Sequence, residues 1–157
     1  MRTTDPATES ADRPGAGRRI LVLFEPGRSG EAAVELARDL ASRDLGTVTV
    51  VGVAPRTPIT RGCLPSARDY DATVCEAVAS DLERAGDLLR AIGSRAESRL
   101  LVEGRDPSLE DLVSDGRFDL VLLPARRRLL RAGHPVAARL RAIGRGEVRI
   151  VDARARA

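Results

Sequence analysis

The chain of 157 residues contains no lysine, asparagine, glutamine or tryptophan, and its aromatic residues are limited to Phe24, Tyr70 and Phe118. Proteins that bind single-stranded nucleic acids stack bases on aromatic rings, so this composition argues against a nucleic-acid partner. Its apolar residues are almost all Ala, Val, Leu and Ile. Such an aliphatic core suits a parallel sheet that helices cover on both faces.

Cysteine, histidine and long apolar runs are also scarce. Cys63 and Cys75 lack the CxxC spacing of a zinc site, and His134 is the single histidine. Two thiols cannot form a disulfide framework and favour a reducing compartment, while a redox role of either thiol is left open. No apolar segment approaches the length of a membrane span or forms a signal-peptide core. We therefore expect a cytoplasmic protein without a metal site or a membrane partner.

Predicted strands and helices alternate between two polar tails. Residues 1–18 are expected to form a disordered tail, 19–152 one domain, and 153–157 a short C-terminal tail. Apolar runs predict five strands, at 20–24, 47–53, 99–102, 118–123 and 148–151. Helical spacing of apolar residues predicts four helices: one capped by Ser29, one over 72–92, one opened by Asp106-Pro107 and one after His134. A loop is expected at 55–70.

Strict alternation without a hairpin signal predicts an α/β fold with a doubly wound, five-stranded parallel sheet. In such sheets ligands bind beyond the carboxyl ends of the strands, where the strand order reverses. The prediction therefore places a ligand near the loops that follow Phe24, Val53 and Leu123.

Four segments, in this order, resemble the universal stress protein family. They are ILVLFEPGRSGEAAVELARDLA, TVTVVGVAP, VEGRDPSLEDLVSDGRFDLVLLPA and GHPVAARLRAIGRGEVRIV. The resemblance covers about residues 19–152 and implies the family's Rossmann-like topology, also described as adenine nucleotide alpha hydrolase-like. It also implies a regulatory stress-response module that dimerises through the last strand, at Val148, Ile150 and Val151. Flavodoxin-like receiver domains, the main alternative, need an acidic cluster after the first strand and a late lysine, whereas this chain has Glu25 alone.

The glycine motif with which members of that family bind ATP is degenerate in this chain. The family pattern Gly-x2-Gly-x9-Gly-Ser/Thr follows the fourth strand, and its first two glycines fall here on Pro124 and Arg127. The third falls on Gly133, after too short a gap, and His134 stands where Ser or Thr belongs. The resemblance therefore implies that ATP binding in the family manner is lost and that no cofactor is required.

Seven residues are candidates for what is left of the ligand site. Glu25 stands where the family has Asp, and Val53 at the adenine side. The full set is Glu25, Gly27, Val53, Arg126, Arg127, Gly133 and His134.

Arginines concentrate towards the end of the chain. From residue 126 onward ten arginines face Glu147 and Asp152, a local net charge of +8, so residues 1–125 carry −5 of the overall +3. Arg126, Arg127, Arg128 and Arg131 lie together between the fourth strand and the last helix. They either hold a nucleotide or another phosphate compound or form a solvated loop, and both alternatives stay open.

Catalysis has little support in the sequence. The turn Gly27-Arg28-Ser29-Gly30 resembles a nucleophile elbow, but Glu31 occupies the fifth position of the G-x-S-x-G pattern, where glycine is required. A serine on a strand-to-helix turn is far more common as a helix N-cap. We therefore expect a binding protein and not an enzyme.

Overall fold

The computed structural model describes residues 17–56, 64–91, 93, 95–125, 134–144 and 146–156. Within these ranges five strands and four α-helices alternate along the chain. They are β1 (Arg19–Phe24), α1 (Arg28–Asp44), β2 (Thr47–Ala54), α2 (Leu64–Arg90), β3 (Arg95–Val102), α3 (Leu109–Gly116), β4 (Leu120–Pro124), α4 (Pro135–Ile143) and β5 (Glu147–Val151), followed by a 3-10 helix at Ala153–Arg156.

The strands form one sheet in the order β3-β2-β1-β4-β5, and every neighbouring pair is parallel. From β1 the chain moves outward through β2 to β3, and it then crosses to β4 on the other side of β1. The strand order therefore reverses between β1 and β4, where a ligand crevice is expected in such folds. The predicted doubly wound, five-stranded parallel sheet is confirmed.

Each face of the sheet has its own hydrophobic core. Along β1, Ile20 and Val22 pack with α1 and α2, whereas Leu21 and Leu23 pack with α3 and α4. Because successive side chains of a strand point to opposite faces, a strand that is covered twice needs an unbroken apolar run. This explains why β1 could be recognised directly in the sequence.

Helix α2 packs on the sheet at two glycines, where the absence of a side chain lets the neighbouring groups approach the backbone. A Cβ atom at Gly52 would lie 2.8 Å from both Leu82 Cδ1 and Val78 Cγ1, and one at Gly86 would lie 2.6 Å from Ser98 Oγ. Neither contact is possible for a real Cβ. These two glycines therefore set the distance between α2 and strands β2 and β3.

Two predicted boundaries at α2 and β3 are wrong. Helix α2 begins at Leu64, so the loop predicted for 55–70 is incorrect from residue 64 onward. Pro65 suggested a loop, yet a proline in the first helical turn lacks only an N–H that has no partner there. Strand β3 begins at Arg95 instead of residue 99. The earlier start was missed because the first part of the strand alternates exposed charged residues with small half-buried ones and has no apolar run.

The N-cap predicted for α1 is also wrong. The N-cap is Gly27, which has a φ of 120° and no side chain to offer, and Ser29 lies inside the first turn. Cys75 is a half-buried free thiol on α2, and Cys63 lies outside the described residues. None of the helices in the described ranges is long and apolar enough to cross a membrane.

Candidate functional site

A cavity of about 540 Å³ opens at the carboxyl ends of β1, β2 and β3. We call it the edge cavity. Its floor is apolar and comes from the strands, with Leu23, Val53 and Leu101, while Leu109 of α3 and Val136 of α4 form its walls. Eight consecutive residue pairs hold β2 against β3, which brings their carboxyl ends to the same edge. The volume lies within the range of sites for small molecules, about 300–1,000 Å³.

The structure brings together two of the seven predicted ligand residues, Glu25 and Val53, which both line the edge cavity. Gly27 lines a different cavity, of about 360 Å³, between α1 and α2. His134 lies at the start of α4, as predicted. Three of the predicted residues, and with them the arginine-rich loop, lie outside the described ranges: Arg126, Arg127 and Gly133.

Carboxylates crowd the rim of the edge cavity. Glu103 is exposed, and Glu25, Asp106 and Glu110 are half-buried. Asp106 Oδ2 accepts the backbone N–H of Val102 at 2.8 Å. That bond, with help from the Arg105 side chain, lowers the pKa of Asp106, which therefore stays ionised.

An ion pair bridges the two walls of the cavity. Arg139 Nε of α4 lies 2.7 Å from Glu110 Oε1 of α3. Among the described residues that line the cavity, four are carboxylates and Arg139 is the one cation, which gives the lining a formal charge of −3. The cation is already engaged, so the described lining is acidic.

The N-terminus of α3 lies at the same rim and is capped by its own side chains. Ser108 Oγ accepts the N–H of Asp111 at 3.1 Å, and Asp111 Oδ2 accepts the N–H of Ser108 at 3.0 Å and its hydroxyl at 2.7 Å. These bonds from Ser108 lower the pKa of Asp111. The helix predicted to open with Asp106-Pro107 thus begins after Ser108, which forms a complete capping box.

The N-terminus of α4 is capped as well. His134 Nδ1 accepts the N–H of Ala137 at 3.3 Å, which requires this nitrogen to be unprotonated. Pro135, the first helical residue, has no N–H to offer. The sequence placed His134 correctly at the start of α4, where it caps the helix, and its role in ligand binding stays a prediction.

Most residues of the rim were not predicted from the sequence, namely Glu103, Asp106, Ser108, Glu110 and Arg139. A signal was available for the first four, since they follow β3 at the same edge as the loops after β1 and β2. The strand-end rule was applied to β1, β2 and β4 alone. Arg139 belongs to a helix face and had no comparable signal.

The structure is similar to solved universal stress proteins over most of its length. UspA from Lactobacillus plantarum superposes with a TM-score of 0.69 at 12% identity, covering 87% of this chain and 99% of that one. A universal stress protein family member from Burkholderia pseudomallei gives 0.67 at 19% identity, covering 88% and 98%. The Archaeoglobus fulgidus universal stress protein in complex with dAMP gives 0.57 at 22% identity, covering 85% and 97%.

Sequence comparison adds nothing to this similarity, since no protein-family model and no curated protein matches the chain. At identities of 12% to 22% the superpositions establish the fold and leave ligands and partners untouched. The resemblance seen in the sequence is confirmed at that level: the chain has the universal stress protein fold.

Proposed function

We propose that this protein is a cytoplasmic regulatory module of the stress response that binds a small ligand, catalyses no reaction and no longer holds ATP. The edge cavity supports a ligand, because its apolar floor is placed where this fold binds molecules and its volume suits one the size of a nucleoside. The Archaeoglobus fulgidus protein of this fold is in complex with dAMP. A related ligand in this chain would lie on Val53 and Leu101.

The observation that carries the loss of ATP is the absence of a phosphate cradle at two positions. Pro124 stands where the family has the first glycine, and as a proline it has no N–H to donate to a phosphate. It is a buried residue of β4 that pairs with Val151. Arg127 replaces the second glycine in the sequence. The acidic lining described above adds repulsion to a triphosphate.

Thermal unfolding in the presence of MgATP tests this loss. A ligand at 100 times its Kd stabilises the folded state by about 2.7 kcal/mol, which gives a clear rise in Tm. We expect no rise at millimolar ATP. A rise that disappears in Val53→Arg, a substitution that fills the floor of the cavity, would show that the protein still binds ATP there.

We further propose a homodimer formed by antiparallel pairing of β5. Strand β5 lies at an edge of the sheet, and an open edge presents N–H and C=O groups that a second copy can satisfy. Val148 and Val151 are already buried against their own chain, and Ile150 is half-buried. Backbone hydrogen bonds between the two strands would therefore contribute more to the dimer than burial of apolar side chains.

Sedimentation equilibrium tests the dimer. The segment around β5 is the most basic of the chain, although Arg149 pairs with Glu147 at 2.7 Å. We expect a dimer that tightens as salt screens the remaining repulsion over a Debye length of about 8 Å at physiological salt. Ile150→Pro removes a donor from the strand and should yield monomers. Wild-type protein that stays monomeric at high concentration and high salt would refute the interface.

A further inference from the structure

We propose that the edge cavity accepts an unphosphorylated ring compound of nucleoside size and excludes the phosphorylated form of the same compound. It depends on the proposed function in one respect, that the ligand lies in this cavity, and it adds the chemical class of that ligand. Three features of the cavity support it: the floor, the helix N-termini and the charge of the rim.

The floor favours a flat apolar ring. Val53 and Leu101 occupy the same step of the parallel ladder between β2 and β3, and both are half-buried, so each leaves apolar surface open to the cavity. A ring that lies across them removes this surface from water, which is favourable. Leu109 and Val136 close the sides, so that the ring is enclosed by apolar groups on more than one side.

Capping side chains already engage part of the N–H groups at both helix N-termini that a phosphate would use. A phosphate at a helix N-terminus binds because the first backbone N–H groups have no partner in the helix. At α3, Ser108 and Asp111 bind each other's N–H groups, and a phosphate would have to displace the Asp111 carboxylate. At α4, His134 holds the N–H of Ala137 and Pro135 has none.

The part of the rim that the structure describes repels a phosphate. The connection between β3 and α3 carries Glu103 and Asp106, and the first turn of α3 carries Glu110. The guanidinium of Arg139 already forms an ion pair with Glu110, at 2.7 Å. A phosphate monoester brings a charge of about −1.5 to −2 at neutral pH. Repulsion between the rim carboxylates and the phosphate opposes binding, whereas an uncharged nucleoside meets no such repulsion.

Titration calorimetry with adenosine and with AMP compares the two ligand forms directly. On the wild-type protein we expect adenosine to bind with a Kd at least about tenfold lower than that of AMP. Binding of adenosine should be lost in Val53→Arg and in Leu101→Arg, two substitutions on the same floor. Circular dichroism confirms that each variant is folded, and the second variant serves if the first does not fold.

A charge reversal on the rim isolates the electrostatic step. Glu103 is exposed, so Glu103→Arg should leave the fold intact. It should also reduce the ratio between the Kd of AMP and the Kd of adenosine. Glu83→Arg, an equal change of charge on the exposed side of α2, is the matched control and should leave the difference unchanged.

The other outcomes separate this inference about the ligand class from the proposed loss of ATP binding. AMP binding as tightly as adenosine, or more tightly, would overturn the exclusion of phosphate. If neither adenosine nor AMP binds at millimolar concentration, the proposed ligand class is wrong, whereas the proposed loss of ATP binding is not contradicted. Tight ATP binding that is lost in Val53→Arg would overturn the ligand class and the proposed loss of ATP together.

Discussion

The two faces of the sheet hold their helices by different means. One face carries α1 and α2, which are 17 and 27 residues long, and the other carries α3 and α4, with 8 and 9. Helix α1 begins at a glycine without a side-chain cap but buries six residues, whereas α3 and α4 bury two residues each and begin at Ser108 and His134. Packing holds the first pair, and capping makes a larger relative contribution to the second.

Helix length explains the difference. Isolated helices shorter than about 12–15 residues are marginal in water, so a helix of two turns depends on every available contact. A side-chain cap contributes roughly 1 kcal/mol, a large share where few apolar groups are buried. Because the short helices border the edge cavity, the same caps that stabilise them also occupy N–H groups that an anion in the cavity would otherwise use.

The largest effect is expected on the packed face. Leu89 of α2 is fully buried, so Leu89→Ala should lower the free energy of unfolding by about 2–5 kcal/mol. Its neighbour Leu88 is 64% exposed, and Leu88→Ala should change stability by no more than about 0.5 kcal/mol. Urea unfolding measures both. Equal losses for the two variants would contradict the assigned orientation of α2.

A close second is the contact between α2 and the sheet. Gly52→Ala introduces a methyl group into the space of Leu82 and Val78, and we expect a loss of about 1–3 kcal/mol from overpacking. Leu82→Ala removes one of the two side chains that the methyl group would meet, so the double variant should lose less than the two single losses combined. Additive losses in urea unfolding would show that Gly52 does not set the position of α2.

On the capped face a pair of serines gives a direct comparison. Ser108→Ala removes the cap of α3 and should cost about 1 kcal/mol. Ser29→Ala, at a position that a serine cap would suit but that lies inside α1, should stay within about 0.5 kcal/mol of wild type. Thermal or urea unfolding of the two variants distinguishes them, and a larger loss at Ser29 would reverse the assignment.

The smallest effect is a dependence on pH. The pKa of Asp111 is lowered in the folded protein by its bonds from Ser108, so its contribution is fully present above the ordinary value of about 3.8 and is lost as pH falls through the lowered value. Stability should therefore fall more steeply below pH 4 in wild type than in Asp111→Asn. Parallel curves for the two proteins between pH 2 and 5 would exclude this contribution.

How far the sequence predicts this structure depends on the burial of each segment. Strands β1 and β4 are covered on both faces and were recognised from their apolar runs. The start of β3 was missed because Arg95, Glu97 and Arg99 lie on an exposed side of an edge strand. The start of α2 was missed because proline in a first helical turn looks like proline in a loop.

The caps could have been read correctly from the sequence. Ser108 is followed three residues later by Asp111, which can return a hydrogen bond to the cap, whereas Ser29 is followed by Ala32, which cannot. For the site, the family resemblance predicted Glu25 and Val53, which lie at two of the three strand ends that the strand-end rule indicated. The rim residues that follow β3 could have been found by the same rule, because the parallel register places Val102 beside Ala54, whereas Arg139 lies on a helix face and had no signal in the sequence.

The length of α2 gives the protein a built-in optical probe. Val78 lies over Gly52, and β2 ends two residues later at Ala54, about 7 Å further on, whereas α2 continues from Val78 back to Leu64 over about 21 Å. The first turns of α2 therefore extend past the strand that they cover. Tyr70, the single tyrosine of a chain without tryptophan, lies on this extension and is 63% exposed. Tyrosine fluorescence therefore reports on the projecting end of one helix, while circular dichroism reports on the whole domain.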